Sequence, residues 1–482
     1  IEWQEKCLDK INGSYCFAIW KQNEKTLFLA RDRLGAVPIY YYSYDGGIIF
    51  GDIQVLLKHP YVPKKIDSNG IMQIFLLGPG KICGSGIIKD VSELKPSHYI
   101  NFSDSRLKSL QYWQLKAREH TDSFKDTARN IKELMIKSYM CDFDSTAAYM
   151  LSGGLDSSIV CSLARMTGVT PQTYSLDFED NEKNFAANMY QPERDIEYIK
   201  IIVRHLSAEN NLIVLKNSEI ADYIEQALLA RGLPGKIIAE KHKVCFSGEC
   251  ADEFFGGYPW YMKDEMLSLN TFPWSQSLSI RERLLKKDVI KQSAQEYVKK
   301  LYDETVLETD YLPQDTPKDR RIREMFNLNK DWFMQTLLDR GYKMASFAGI
   351  EIRMPFCDYN IVEYAYNIPW KFKAYNGQEK GILREAFKDI LPPKIVGRKK
   401  SPFPKTYSPL FFNRIKEKLN LILNKKDSLL ENLIDKDYLN RLIENPTAKI
   451  PNWYGQLMRL PQIMGYIIQI DSFFKQFNID IE

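Results

Sequence analysis

The chain has 482 residues, too many for one ordinary core, so two or three domains are expected. Hydrophobic residues are 44%, aromatics 13% and charged residues 27%, which excludes a largely disordered or fibrous chain. Lys+Arg 66 against Asp+Glu 62 leaves a net charge of +4, too even for a nucleic-acid or membrane-surface protein. No apolar run approaches the length of a bilayer span. The eight cysteines are scattered, with no CxxC pair. That reads as reduced thiols in a cytoplasmic protein, not as a disulfide framework or zinc site. His59, His98, His120, His205 and His242 lie far apart in sequence, which argues against a histidine triad or metal cluster. The sequence opens on Ile1 with no signal peptide and reads as a truncated or processed chain.

Residues 1–102 read as short strands. FAIW (17–20), LFLARD (27–32) and IYYYS (39–43) are separated by the turn residues Asn12-Gly13, Leu34-Gly35 and Asp45-Gly46-Gly47. An antiparallel α+β unit is expected there, then a polar linker over 103–125. From 126 the pattern changes. A helix is predicted over 127–139, a buried strand over 147–151 and a second helix ending at Met166. Strands at 172–178, 211–215 and 243–247 alternate with helices at 194–206 and 219–230. This spacing means βαβ units and a parallel sheet. Beyond about 260 the pattern is helical, with 281–302 and 320–346 the longest runs.

Three segments carry the chemistry. The first, Leu151-Ser152-Gly153-Gly154-Leu155-Asp156-Ser157-Ser158, sits where a buried strand gives way to a helix. Ligands of open α/β sheets bind at that end of the strands. Glycines let the backbone approach a ligand, hydroxyls add donors, and the helix N-terminus favours anions. The combination suits a polyphosphate, although the Gly-Lys-Ser/Thr of a Walker loop is missing. Asp156 beside a phosphate makes sense as a Mg²⁺ ligand. A plain capping turn has the same residue types. The second segment, Ser247-Gly248-Glu249-Cys250-Ala251-Asp252-Glu253-Phe254-Phe255-Gly256-Gly257-Tyr258, again follows a short apolar strand. Asp156 and Asp252 could then share metal ions, and Glu249 is a candidate base. A solvated acidic turn is the simpler alternative. The third, Gly377-Gln378-Glu379-Lys380-Gly381-Ile382-Leu383-Arg384, opens a helix predicted over 379–390 and offers Lys380 to phosphate. Alone, it reads as a surface lysine.

Together these segments resemble the glutamine-dependent asparagine synthetases. SGGLDSS is similar to their ATP-pyrophosphatase loop, and SGECADEFFGGYPWY (247–261) to their second signature. GIEIRMPFCD (349–358), EKGILREAF (379–387) and RKKSPFPKT (398–406) follow in order, and FLARDRLGAVPIYY (28–41) is similar to the latter half of the family's glutaminase domain. The resemblance implies an α+β, class II glutamine amidotransferase-like unit over 1–102 and a linker over 103–125. It then implies an α/β ATP-pyrophosphatase domain over 126–482, adenine nucleotide alpha hydrolase-like, with a helical C-terminal half. It implies adenylation of the aspartate side chain by ATP, then attack of ammonia on β-aspartyl-AMP. By resemblance Ser152, Gly153, Gly154, Asp156, Ser157, Ser158, Ser247, Gly248 and Tyr258 bind ATP. Asp156 and Asp252 hold Mg²⁺, Glu249 takes a proton from the ammonia, and Lys380 stabilises pyrophosphate. The partners implied are aspartate, ATP and glutamine or ammonia, without nucleic acid or membrane; a homodimer is compatible.

The sequence departs from that pattern in three ways. It lacks the N-terminal cysteine and glutamine-gripping segments of the glutaminase, so this chain is expected to use only ammonia, with glutamine used by the full-length parent. About a dozen family residues are missing after Leu233-Pro234-Gly235. Tyr342-Lys343 stands where the family has Asp-Arg. Two alternatives stay open: a related amide- or β-lactam-forming synthetase acting on another carboxylate, and a non-catalytic remnant.

Overall fold

In the computed structural model, residues 3–187, 191–222, 224, 238–402, 406, 408–425, 428–445, 452–455 and 458–482 are described. The shortened segment after Gly235 therefore lies outside the described residues, as does most of the helix expected over 219–230; Asn217–Ile220 forms a short helix instead.

Strand β1 (Cys16–Lys21) pairs antiparallel with β2 (Thr26–Arg31). The FAIW run alternates side chains between a covered face and an open one, as on a sheet edge wet on one side, whereas LFLARD in the neighbouring strand is buried at nearly every position. Strand β3 (Tyr40–Tyr44) pairs with β4 (Gly47–Gly51) across Asp45-Gly46. Strand β5 (Lys65–Ile66) and the helix Ser68–Leu76 follow. Strand β6 (Val91–Glu93) completes a three-stranded sheet, β4-β3-β6. Strands β7 (His98–Ser103) and β8 (Arg106–Gln111) complete a four-stranded antiparallel sheet, β1-β2-β7-β8. Asp104 and Ser105 both hold positive φ (47° and 59°) between them, the backbone that a two-residue hairpin turn requires. This turn was invisible in a stretch read as linker, and β8 lies wholly within that stretch. Leu27, Leu29, Ile39, Leu94, Ile100 and Phe102 form a core of this unit.

Ser123 caps the helix Phe124–Cys141, accepting from the Asp126 amide. Beyond it lies a five-stranded sheet in the order β11-β10-β9-β12-β13, every pair parallel. Its strands are β9 (Ala148–Met150), β10 (Gln172–Phe178), β11 (Glu209–Leu215), β12 (Val244–Phe246) and β13 (Glu351–Arg353). The chain leaves β9 for β10 on one side, while β12 pairs on the other. The strand order thus reverses between β9 and β12, and a cleft is expected outside the carboxyl ends of these two strands.

The C-terminal half is helical. Pro317–Leu328, a π-helical stretch Asn329–Phe333 and Met334–Ala348 run on without a break. The single helix expected over 281–302 is instead two, Leu278–Arg283 and Ala294–Leu307. Leu285 forms a bridge to Ile434, and Ser293 caps the second helix through the Glu296 amide. Tertiary pairing and a cap override the helical pattern. Near the C-terminus the helix Leu460–Phe477 is followed by β14 (Asp480–Ile481), which returns to pair with β5. One apolar cluster joins Ile71 and Phe75 of the N-terminal unit to Ile159 and Ile468.

A buried ion cluster also joins the two halves. Glu93 Oε1 accepts from Arg31 at 3.0 Å and from Lys81 at 2.8 Å. Lys81 lies 3.4 Å from Asp339, which Lys343 approaches at 2.9 Å one turn along its helix. Lys343 also lies over the Tyr40 ring. Lys343 thus serves the junction, while nothing in the structure explains Tyr342.

Candidate active site

Strand β9 hands over to the helix Leu155–Met166 through Ser152, Gly153 and Gly154. Gly153 has φ +69°, and a Cβ there would lie 2.7 Å from the Ile199 nitrogen, so only glycine fits. The Ser152 and Ser157 hydroxyls lie 3.1 Å apart, and Ser157 also donates to the Gly154 carbonyl at 3.2 Å. Arg398 supports the turn from behind. Its Nη1 donates to the Ser152 carbonyl at 3.0 Å, and its Nη2 bonds Asp195. Ser158 differs from the expectation: it is wholly buried, because its helix position faces the core.

Strand β12 delivers the second loop. Ser247 donates its amide to the Arg353 carbonyl of β13 at 2.9 Å, and its side chain is buried. A Cβ at Gly248 would lie 3.0 Å from Asp156 Cβ, so the two loops touch there. Cys250 and Cys357 are joined by a disulfide, with Cα atoms 5.6 Å apart. This corrects the reading of eight reduced thiols. Their 107-residue separation hid the pair, but Phe246 of β12 and Arg353 of β13 are register partners, and each cysteine follows its partner by the same number of residues. Cys7, Cys16, Cys83, Cys141, Cys161 and Cys245 are free thiols.

The third segment closes the cleft. Lys380 has φ +56° and precedes the helix Gly381–Phe387. Its Nζ donates to Asp156 Oδ1 and Oδ2 at 2.8 and 2.6 Å and to Asp252 Oδ1 at 2.6 Å. Lys400 Nζ bonds Asp252 Oδ2. Burial pushes the Asp252 carboxyl up, but Lys380 and Lys400 outweigh it and hold the group down at about 2. Asp156 is raised, by burial first and by Asp252 against the pull of Lys380. The Lys400 ammonium is held above its ordinary range by Asp252 and Asp156 in spite of burial. Glu249, at the same strand end, has its carboxyl raised by burial, while Arg340, 3.6 Å away, opposes the shift.

Glu253 lies behind Asp252. Burial, then the Asp252 charge, pushes its carboxyl up to about 8. It accepts from the Tyr258 hydroxyl at 2.6 Å. Tyr258, expected against ATP, is thus turned inward, and its ring stacks on Trp260 with centroids 4.5 Å apart.

The cleft therefore brings together Ser152, Gly153, Gly154, Asp156, Ser157, Gly248, Glu249, Asp252 and Lys380; Ser158, Ser247 and Tyr258 are buried, as Ser157 and Lys380 are. Sequence reasoning missed Lys400, Arg340, Arg398 and Glu253 as site residues. Arg398 and Lys400 stood in the segment RKKSPFPKT, which carried a resemblance but no role. Nothing local marks Arg340, whose approach to Glu249 depends on how its helix packs.

Asp156 and Asp252 are partly buried carboxylates that already converge on cationic nitrogen. Their hard oxygens suit Mg²⁺. Among the described residues no group of three or more His, Cys, Asp or Glu forms a metal cluster, so a metal here would draw its other ligands from substrate phosphates and water. No helix among the described residues is long and apolar enough to cross a membrane.

Comparison with known proteins gives the same direction. The family model described as asparagine synthase matches residues 135–469, and the glutamine amidotransferase domain model matches residues 1–113. Asparagine synthetase [glutamine-hydrolyzing] 3 of Bacillus subtilis is 39% identical, over 100% of this chain and 82% of that protein. Asparagine synthetase [glutamine-hydrolyzing] 1 of the same organism is 24% identical, over 92% and 76%. Amidase chry2 of Gibberella zeae is 22% identical, over 83% and 71%. With a cleft whose acids and lysines converge at the switch point of a parallel sheet, and with these matches, the chain belongs to the glutamine-hydrolysing asparagine synthetase family of ATP-dependent carbon–nitrogen ligases.

Proposed function

We propose that this cleft makes asparagine through β-aspartyl-AMP. The observation that carries the reading is the convergence of Lys380 on both Asp156 and Asp252. Cations and acids at one point suit a triphosphate. The turn at Ser152, Gly153, Gly154 and Ser157 receives the phosphates at a helix N-terminus. The aspartate β-carboxylate attacks the α-phosphorus, and the bond to pyrophosphate breaks. Lys380 and Lys400 then move from carboxylate to phosphate oxygen and take up the charge gathering on the leaving group. Asp156 and Asp252 would hold Mg²⁺, which when bound neutralises phosphate charge. Ammonia attacks the acyl carbon, AMP leaves with its bonding electrons, and Glu249 accepts the proton. A carboxyl raised by burial suits a base working near neutral pH.

Ammonia is the nitrogen donor that the residues of this chain support. The Cys7 and Cys16 thiols are both raised by burial, the opposite of what activates a nucleophile. The N-terminal two-sheet unit reads as amidotransferase-like and the parallel-sheet domain as ATP-pyrophosphatase-like. The test supplies ammonium salt or glutamine separately and measures asparagine and AMP. Ammonium should support synthesis and glutamine should not; synthesis from glutamine alone would overturn the donor assignment.

A second reading, amidation of another carboxylate, draws on the similarity to the protein named amidase chry2. Replacing aspartate by other carboxylic acids in the same assay separates the two.

A further inference from the structure

Two lysines reach one carboxylate from different parts of the chain. Lys380 sits on the Asp252 Oδ1 side and Lys400 on the Oδ2 side. Lys380 is fixed by its left-handed backbone at a helix start. Lys400 has no such support, because it lies in irregular chain after the helix Pro393–Val396. Its backbone is held by Glu379. Glu379 Oε1 accepts from the Lys400 amide at 2.6 Å and from Arg384 Nη2 at 2.8 Å. Arg384 Nε donates to the Glu379 carbonyl at 2.8 Å, and its Nη1 bonds the Val396 carbonyl. Arg384 is buried. A charged pair whose buried arginine spends its other donors on backbone is a stiff connection.

We infer that Glu379 is a positioning residue: with Arg384 it ties the backbone of Lys400 to the residue next to Lys380 and so sets where the Lys400 ammonium stands. The inference rests on the proposed adenylation, in which both lysines take up leaving-group charge. Lysine brings a point charge on a flexible stem. Its value in a transition state depends on the backbone that launches it, and misplacement by an ångström is costly.

The test uses the whole chain and four variants: Glu379→Ala, Glu379→Gln, Lys400→Met and the double variant Glu379→Ala/Lys400→Met. Aspartate-dependent ATP–pyrophosphate exchange gives the rate, and calorimetry gives ATP affinity. Glu379→Ala should lower the exchange rate by about 100-fold, the scale of losing one placed charge donor, with ATP affinity within about threefold. Glu379→Gln keeps an oxygen for the Lys400 amide and should lose no more than about tenfold. In the Lys400→Met background, Glu379→Ala should cost less than about threefold more, since a residue acting through another adds nothing once that one is gone. Independent, multiplying losses would overturn the inference, as would equal losses in rate and affinity. Labelling of Lys400 by an amine-reactive reagent, followed by mass spectrometry, reads placement without the reaction. Glu379→Ala and, more weakly, Glu379→Gln should raise its labelling rate; unchanged labelling in both overturns the placement. Wild-type chain that exchanges nothing with aspartate would count against the adenylation reading, and the labelling result would still decide the role of Glu379.

Discussion

Lys380 Nζ lies within hydrogen-bond distance of three carboxylate oxygens and is almost wholly buried. Removing one partner of such a group leaves charge without compensation, which typically costs about 3–5 kcal/mol. Lys380→Met should lower the unfolding free energy by about that much in metal-free buffer, measured by urea titration; a loss under about 1 kcal/mol would show that water already screens the acids. Glu253 makes the opposite case. Its carboxyl is raised to about 8, against an ordinary value near 4.3. Between those two values the folded chain keeps a proton that the unfolded chain loses, so stability falls as pH rises through this window and levels off above it. The slope is at most about 1.4 kcal/mol per pH unit. Glu253→Gln cannot ionise and should flatten that part of the profile; urea midpoints between pH 5 and 9 for both proteins check it, and parallel profiles would contradict it.

Short elements position these residues. Gly257 follows the helix Ala251–Phe255, and its amide donates to the Asp252 carbonyl at 2.9 Å. A Cβ on Gly257 would lie 1.8 Å from Asp252 Oδ1 and 3.0 Å from Lys380 Cε. Gly257→Ala should therefore displace the Asp252 carboxylate and reduce activity by about 100-fold or more, a loss read by steady-state assay with circular dichroism confirming the fold. Activity within about threefold of wild type would show that Asp252 is free to move aside. The strands at the two loop entries were legible because each is an apolar run closed by a glycine-bearing turn. The acid loops were legible for the same reason: chemistry and turn signal coincide in a few adjacent residues. The β8 hairpin was not, since Asp104 and Ser105 turn without glycine and β8 is mostly polar and exposed. Lys400, Arg340 and the Cys250–Cys357 bond were not legible either. Each depends on chain segments that meet only once the sheet is assembled.

At the scale of the whole molecule, the amidotransferase-like unit and the synthetase domain share a core and a buried ion cluster. Glu93 holds both Arg31 and Lys81, and Lys81 reaches Asp339 of the long C-terminal helix run. Glu93→Gln strips the paired carboxylate from buried Arg31 and leaves Lys81 with Asp339 alone. It should cost about 3–5 kcal/mol, with the intrinsic fluorescence and the far-ultraviolet signal lost in one coincident transition. Separate transitions would mean that the two halves fold independently. In the proposed chemistry the cleft between β9 and β12 activates aspartate with ATP. The most direct measurement is incorporation of labelled pyrophosphate into ATP by the whole chain with Mg²⁺, with and without aspartate and with no nitrogen donor. Exchange that requires aspartate and is abolished by Asp252→Asn is the predicted result. Absence of exchange, or exchange that ignores aspartate, would contradict the claim.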